Sequence, residues 1–240
     1  MDTDFIYTYP ALIPGILKKR YKRFLADIEL ESGETITAHC ANTGPMIGVC
    51  DVDSRVYLSK SNNPKRKLAY SWELIEGDNT WVGINTALPN RVIKQVLEQE
   101  KFPPLQGKYN QVRPEVPYGK NKKSRIDFLL SNESEKNPIY VEVKNTTLAT
   151  EKMALFPDTV TTRGQKHLQE LMDLLPDAQP IMLYFINRGD CDRFSPGDNY
   201  DPEYGKLFRE AVEKGVKILP CRFDITPQGI RYLGLAELVL

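Results

Sequence analysis

The sequence predicts an α/β protein in two parts: a small β domain over residues 1–85, then a mixed-sheet α/β domain over residues 86–240. Three observations predict it. The first part is built of short runs in which apolar and polar residues alternate between polar turns, the pattern of strands with one buried face. Near Pro89 the apolar spacing becomes helical. Farther on, two β-rich runs are followed by a helix, a continuously apolar strand, a second helix and a last strand, an order that describes one mixed sheet with helices on both sides.

In the first part, Phe5 to Tyr9 reads as a strand, and Pro10, Pro14 and Gly15 punctuate the stretch after it. From Tyr21 the alternation places Phe24, Ala26, Ile28 and Leu30 on one face and Leu25, Asp27 and Glu29 on the other. Ser32-Gly33 marks a hairpin turn before a strand from Thr35 to Cys40. Asn42-Thr43-Gly44-Pro45-Met46 is a turn by composition. Arg55 to Ser59, Ala69 to Ile75 and Trp81 to Asn85 complete the strands. Such a set forms a small barrel or a sandwich, and period two alone does not choose between them.

In the second part, Val92, Ile93, Val96 and Leu97 form an apolar stripe after Asn90, which reads as an N-cap, and the helix stops before Phe102-Pro103-Pro104. A stretch rich in Pro, Gly and Lys runs on to Lys123. Phe156-Pro157-Asp158 leads into a helix from about Thr162 to Leu175, with Leu168, Leu171, Met172 and Leu175 inward. Ile181 to Ile186 is a strand covered on both faces. Asp201-Pro202 supplies an N-cap and a first-turn proline, Gly215 closes that helix beyond Lys214, and Val216 to Phe223 returns as a strand.

Between these helices lie Ser124-Arg125-Ile126-Asp127-Phe128-Leu129-Leu130 and Ile139-Tyr140-Val141-Glu142-Val143-Lys144, joined by a polar loop. They read as an antiparallel hairpin. A turn centred between Ser134 and Glu135 sets Leu129 opposite Tyr140 and Asp127 opposite Glu142, with Tyr140, Glu142 and Lys144 on one face and Ile139, Val141 and Val143 on the other. Two carboxylates facing at roughly 5 Å repel by about 3 kcal/mol at an effective dielectric near 20. A divalent cation held by both offsets that, and oxygen ligands suit Mg²⁺ or Mn²⁺. Lys144 then balances charge, orients an attacking water or stabilises a transition-state phosphate. The plainer alternative is a solvated strand face carrying ordinary surface charges.

Composition narrows the partners. With 41% hydrophobic and 27% charged residues the chain is globular, and its net charge of zero removes any whole-protein attraction to nucleic acid. Phosphate contact must come from local patches. Lys18-Lys19-Arg20-Tyr21-Lys22-Arg23 and Lys65-Arg66-Lys67 are such patches, basic residues that track phosphates while an aromatic stacks on a base; a solubilising strand edge is the alternative. On the helix after the hairpin, Arg163, Gln165, Lys166 and His167 cluster, although a lone helical histidine is more often a surface group. Cys40, Cys50, Cys191 and Cys221 lack C-x-x-C spacing, so reduced thiols are expected rather than zinc. No apolar run reaches membrane-span length and the N-terminus is acidic, which points to a cytoplasmic protein. The oligomeric state stays open, a homodimer included.

Asp127 with Glu142-Val143-Lys144 resembles the core motif of the PD-(D/E)XK nucleases. More specifically, Arg20 to Asp27, His39 to Met46, Ser124 to Leu130, Val141 to Leu148 and Phe156 to Leu168 resemble the sugar fermentation stimulation protein (SfsA) family over nearly the whole chain. The resemblance implies an OB-like N-terminal barrel, a PD-(D/E)XK nuclease-like C-terminal domain, and DNA as partner, with a role in sugar (maltose) utilisation. It implies Asp127 and Glu142 as ligands of Mg²⁺ or Mn²⁺, the Val143 carbonyl beside them, and Lys144 as a catalytic group. Glu115 matches a further acid that related chains carry before this motif, with Glu98 a weaker candidate, and the helix bearing Gln165, Lys166 and His167 supplies contacts to substrate phosphate. A DNA nuclease and a non-catalytic, largely sequence-nonspecific DNA-binding regulator both satisfy this reading. No glycine loop of P-loop or dinucleotide spacing supports an enzyme of small phosphorylated sugars.

Overall fold

A computed structural model describes residues 5–77, 80–119, 123–132 and 137–240. Its first strand, β1 (Tyr7–Thr8), is followed by β2 (Ile13–Tyr21), β3 (Leu25–Leu30), β4 (Thr35–His39), β5 (Arg55–Lys60), β6 (Tyr70–Gly77) and β7 (Thr80–Gly83). The sheet order β4-β3-β2-β5-β6-β7 closes through a parallel pairing of β4 with β6, Ala38 against Tyr70 and His39 against Ser71. Five strands therefore form a closed barrel. Its filling is Leu17, Ala26, Ile28, Ala38, Val56, Leu58, Trp72 and Ile75, the last two both inward because the pairing of β6 with β5 shifts register between them. Closure leaves no free edge on these five strands and settles the choice between barrel and sandwich.

Two features depart from expectation. Pro14 and Gly15, read as punctuation, lie inside β2, which pairs with both β3 and β5. Gly15 is required there because a Cβ would stand 2.6 Å from Ile28 Cγ2 and 2.9 Å from the Glu29 carbonyl oxygen. The strand expected at Phe5 to Tyr9 forms as β1, yet it pairs with a strand near the C-terminus and so lies outside the barrel.

The second part holds α1 (Leu88–Glu98), a 3₁₀ turn (Pro103–Leu105), β8 (Gln111–Tyr118), β9 (Ser124–Ser131), β10 (Ile139–Thr146), β11 (Ala149–Thr150), β12 (Met153–Phe156) and α2 (Thr162–Met172). After these come β13 (Gln179–Ile186), β14 (Arg193–Pro196), α3 (Pro202–Lys214), β15 (Lys217–Ile225), β16 (Gly229–Leu235) and β17 (Glu237–Leu238). The main sheet runs β1-β16-β15-β13-β10-β9-β8, with β13 parallel to β10 and β15 and the other pairs antiparallel. A small sheet, β11-β12-β14-β17, lies apart from it.

Helices cover both faces. Val92, Ile93, Val96 and Leu97 of α1 pack with Val141, Val143, Leu183 and Phe185. On the opposite face Leu168, Leu171 and Met172 of α2 and Phe208 of α3 pack with Met182, Tyr184 and Ile186. The side chains of β13 divide between the two cores, which is why that strand is apolar throughout. Asp201 caps α3 by accepting from the Tyr204 N–H, and Gly215, at φ 105°, ends it. In α1 the expectation fails: the N-cap is Ala87, Pro89 lies in the first turn, and Asn90 sits within the helix.

Candidate active site

The hairpin of β9 and β10 pairs Ile139 with Leu130, Tyr140 with Leu129 and Val141 with Phe128. The Leu129–Tyr140 pair is the one the sequence predicts; the ladder ends at Val141–Phe128, one position short of Glu142 and Asp127, and the turn itself lies outside the described residues. Here backbone pairing gives way to a side chain. Asp127 Oδ2 accepts from the Val143 N–H at 2.7 Å, and Asp127 Oδ1 accepts from Asn90 Nδ2 at 2.7 Å. Alternation resets at the same point, since Ile126 packs in the α2–α3 core whereas Phe128 packs against α1. On β8, Pro114 pairs with Phe128 and Val116 with Ile126, so Glu115 stands opposite Asp127, in a left-handed conformation (φ 54°) and exposed.

Glu142 is 3% exposed, buried under α2. Its Oε1 accepts from Lys144 Nζ at 2.7 Å and contacts His167 Nδ1, while Lys144 Nζ and His167 Nδ1 lie 3.0 Å apart. Its Oε2 is buried without a hydrogen-bond partner. The two carboxylates titrate in opposite senses. Burial, then the Glu142 charge, pushes Asp127 up to about 7, against the Val143 amide, Lys144 and Asn90. Burial also raises Glu142, but the Lys144 charge and the His167 and Lys144 hydrogen bonds outweigh it and hold the carboxyl below its ordinary value. A cation held by both would relieve the Asp127 penalty and would give Glu142 Oε2 a partner. Among the described residues there is no cluster of three or more His, Cys, Asp and Glu fit to cage a metal. Two carboxylates with water completing the shell suit Mg²⁺ or Mn²⁺ better than zinc.

The helix residues serve several ends. His167, read as a surface group, is 4% exposed. It faces Glu142 because α2 lies across this face of β10. Arg163 Nε donates to His167 Nε2 at 3.4 Å. Gln165 Nε2 donates to both Asp201 carboxylate oxygens and so ties α2 to α3. Lys166 donates to Ser124 Oγ at 2.8 Å and pairs with Glu170 at 3.4 Å. Asn90 was read as a helix cap rather than a partner of Asp127, and Glu170 and the burial of His167 escaped the sequence reading; a polar residue on an amphipathic helix gives no sign of which buried group it meets.

The barrel's basic residues divide too. Arg20 holds the carbonyls of Arg23, Asn42 and Gly44, and Arg23 Nε donates to the Thr43 carbonyl at 2.7 Å. Both therefore fasten the 42–44 loop, which faces Asp158 and borders a pocket of about 100 Å³ whose lining mixes Asn42, Asn145 and Asp158 with Leu148, Leu155 and Phe156. Lys18 pairs with Glu29 and Asp53, and Tyr21 donates to Asp27 with Lys19 above its ring. Lys22, Lys65, Arg66 and Lys67 are exposed. All four cysteines are free thiols, and no helix among the described residues is long and apolar enough to cross a membrane.

Comparison with known proteins agrees with this architecture. Residues 19–84 match the family model described as the SfsA N-terminal OB domain, and residues 87–229 match the sugar fermentation stimulation protein RE domain. A sugar fermentation stimulation protein homolog of Crocosphaera subtropica is 86% identical over 99% of both chains. One from Synechocystis is 68% identical over 99% of this chain and 100% of its own. Among solved structures, Pyrococcus furiosus SfsA in complex with Ca²⁺ superposes with a TM-score of 0.87 at 24% identity, over 99% of this chain and 100% of the other. A barrel and a mixed α/β domain, each matched by its own model and both spanned by close relatives, place the chain in the sugar fermentation stimulation protein family.

Proposed function

We propose that the protein is a divalent-metal-dependent phosphodiesterase acting on DNA. The observation that carries this is the neighbouring pair Asp127 and Glu142, which feel each other's charge, with one carboxyl held below its ordinary value, a buried oxygen unsatisfied, and Lys144 alongside. The Ca²⁺ named with the Pyrococcus furiosus relative is likewise a hard, oxygen-seeking ion. Asn90 and the Val143 amide aim Asp127, and Lys144 and His167 fix Glu142. A Mg²⁺ or Mn²⁺ bound by the two carboxylates would acidify a water and neutralise charge developing on phosphate. Lys144, with N–H groups beyond the one it gives Glu142, orients that water or a phosphate oxygen. The exposed Lys22 and Lys65-Arg66-Lys67 give the barrel its electrostatic hold on a strand.

The test is incubation of linear, nicked and single-stranded DNA with Mg²⁺ or Mn²⁺. Cleavage is expected in the wild type and is lost on chelation and in the Asp127→Asn, Glu142→Gln double variant; cleavage undiminished in that variant rejects the site. The near-complete burial of Glu142 favours a second reading, DNA binding without turnover in a regulator of sugar utilisation. Salt-sensitive affinity that ignores Mg²⁺, with no product formed, selects it.

A further inference from the structure

The two ring nitrogens of His167 meet different chemistry. Nδ1 lies against Glu142 Oε1, and Nε2 faces the Nε–H of Arg163 at 3.4 Å. A guanidinium only donates, so Nε2 accepts and the ring proton sits on Nδ1, which donates to the Glu142 carboxylate. Lys144 Nζ lies 3.0 Å from Nδ1 because both donors converge on one oxygen. Oε1 is thereby occupied twice while Oε2 has no partner. The site thus gives the two oxygens of Glu142 separate tasks.

We propose that His167 is a positioning residue: set as the Nδ1–H tautomer by Arg163, it fixes the Glu142 carboxylate so that Oε2 is the oxygen presented to a divalent cation beside Asp127. This rests on the metal reading above. It also removes His167 from the surface that meets substrate phosphate, where the sequence placed it. Outer hydrogen bonds of this kind orient ligands, and their loss weakens metal affinity by about 10–100-fold.

Two measurements test it. Nitrogen NMR of the metal-free protein reads the His167 tautomer directly; Nδ1–H is expected in the wild type, with the alternative tautomer gaining population in Arg163→Ala. Calorimetric titration with Mn²⁺ then compares His167→Asn, whose side-chain N–H can stand where Nδ1–H stood, with His167→Leu, both checked for folding by circular dichroism. His167→Asn is expected within about threefold of wild type and His167→Leu weaker by about 10–100-fold. A wild-type proton on Nε2, or His167→Leu binding Mn²⁺ as tightly as wild type, overturns the role of His167 alone. A wild type that carries Nδ1–H but binds no Mn²⁺ overturns the metal reading and this proposal with it.

Discussion

Asp127 and Glu142 sit on neighbouring strands with the same functional group, and their surroundings separate them. Asp127 holds its proton more tightly folded than unfolded, rising from 3.8 to about 7. Its contribution to stability is therefore fully present below about pH 4 and is lost as pH rises through about 7, a loss of a few kcal/mol. Asp127→Asn is expected to flatten the pH dependence of urea denaturation across that window and to exceed wild-type stability at pH 8, since Asn90 can turn its amide to present oxygen to the new one. Mg²⁺ should stabilise the wild type and not the variant. An unchanged pH slope in Asp127→Asn would rule this out. The register that pairs Leu129 with Tyr140 was legible because loop length fixes it, whereas the reset of alternation at Asp127, with Ile126 and Phe128 in opposite cores, was not. That Arg20 and Arg23 fasten the 42–44 loop was not legible, because charge shows in a sequence whereas the carbonyls that meet it do not.

Helices α2 and α3 are joined through one buried carboxylate. Asp201, 2% exposed, accepts from the Tyr204 N–H as the cap of α3, from the Thr161 N–H before α2, and from Gln165 within it. Asp201→Ala strands three donors and is expected to cost about 2–4 kcal/mol in denaturant unfolding, beyond the roughly 1 kcal/mol of a cap alone. Gln165→Ala should cost about 1 kcal/mol by the same measure. A cost for Asp201→Ala no larger than an exposed cap would show the helices to be independent. Both ends of α3 were readable because cap, proline and glycine are local signals. By contrast, β2 and β8 carry prolines or glycines that read as breakers. Position in a sheet excuses them: β8 is an edge strand, where a missing N–H need not break the ladder, and Gly15 of β2 makes room for β3.

The two domains meet through a seam that neither could build alone. Asn187, at the end of β13, donates to the Gly83 carbonyl at 3.1 Å and accepts the Gly83 N–H on its own carbonyl at 2.9 Å. Leu74 belongs to the α1-side core of the main sheet, and Tyr57 and Trp81 of the barrel pack against it. β1, from before the barrel, completes the far edge of that sheet. Apolar surface shared in this way makes separation of the domains cost burial on both, so they unfold together. Trp72 in the barrel core and Trp81 at the seam report the barrel by fluorescence, while far-ultraviolet dichroism reports both domains. The two denaturation curves are expected to coincide in the wild type. A Cβ at Gly83 would lie 2.1 Å from Asn187 Oδ1 and 2.4 Å from its Cγ and Nδ2. Gly83→Ala is therefore expected to destabilise by about 2–4 kcal/mol and to pull the curves apart, the barrel unfolding first. Wild-type curves that already diverge would show that the seam does not couple the domains.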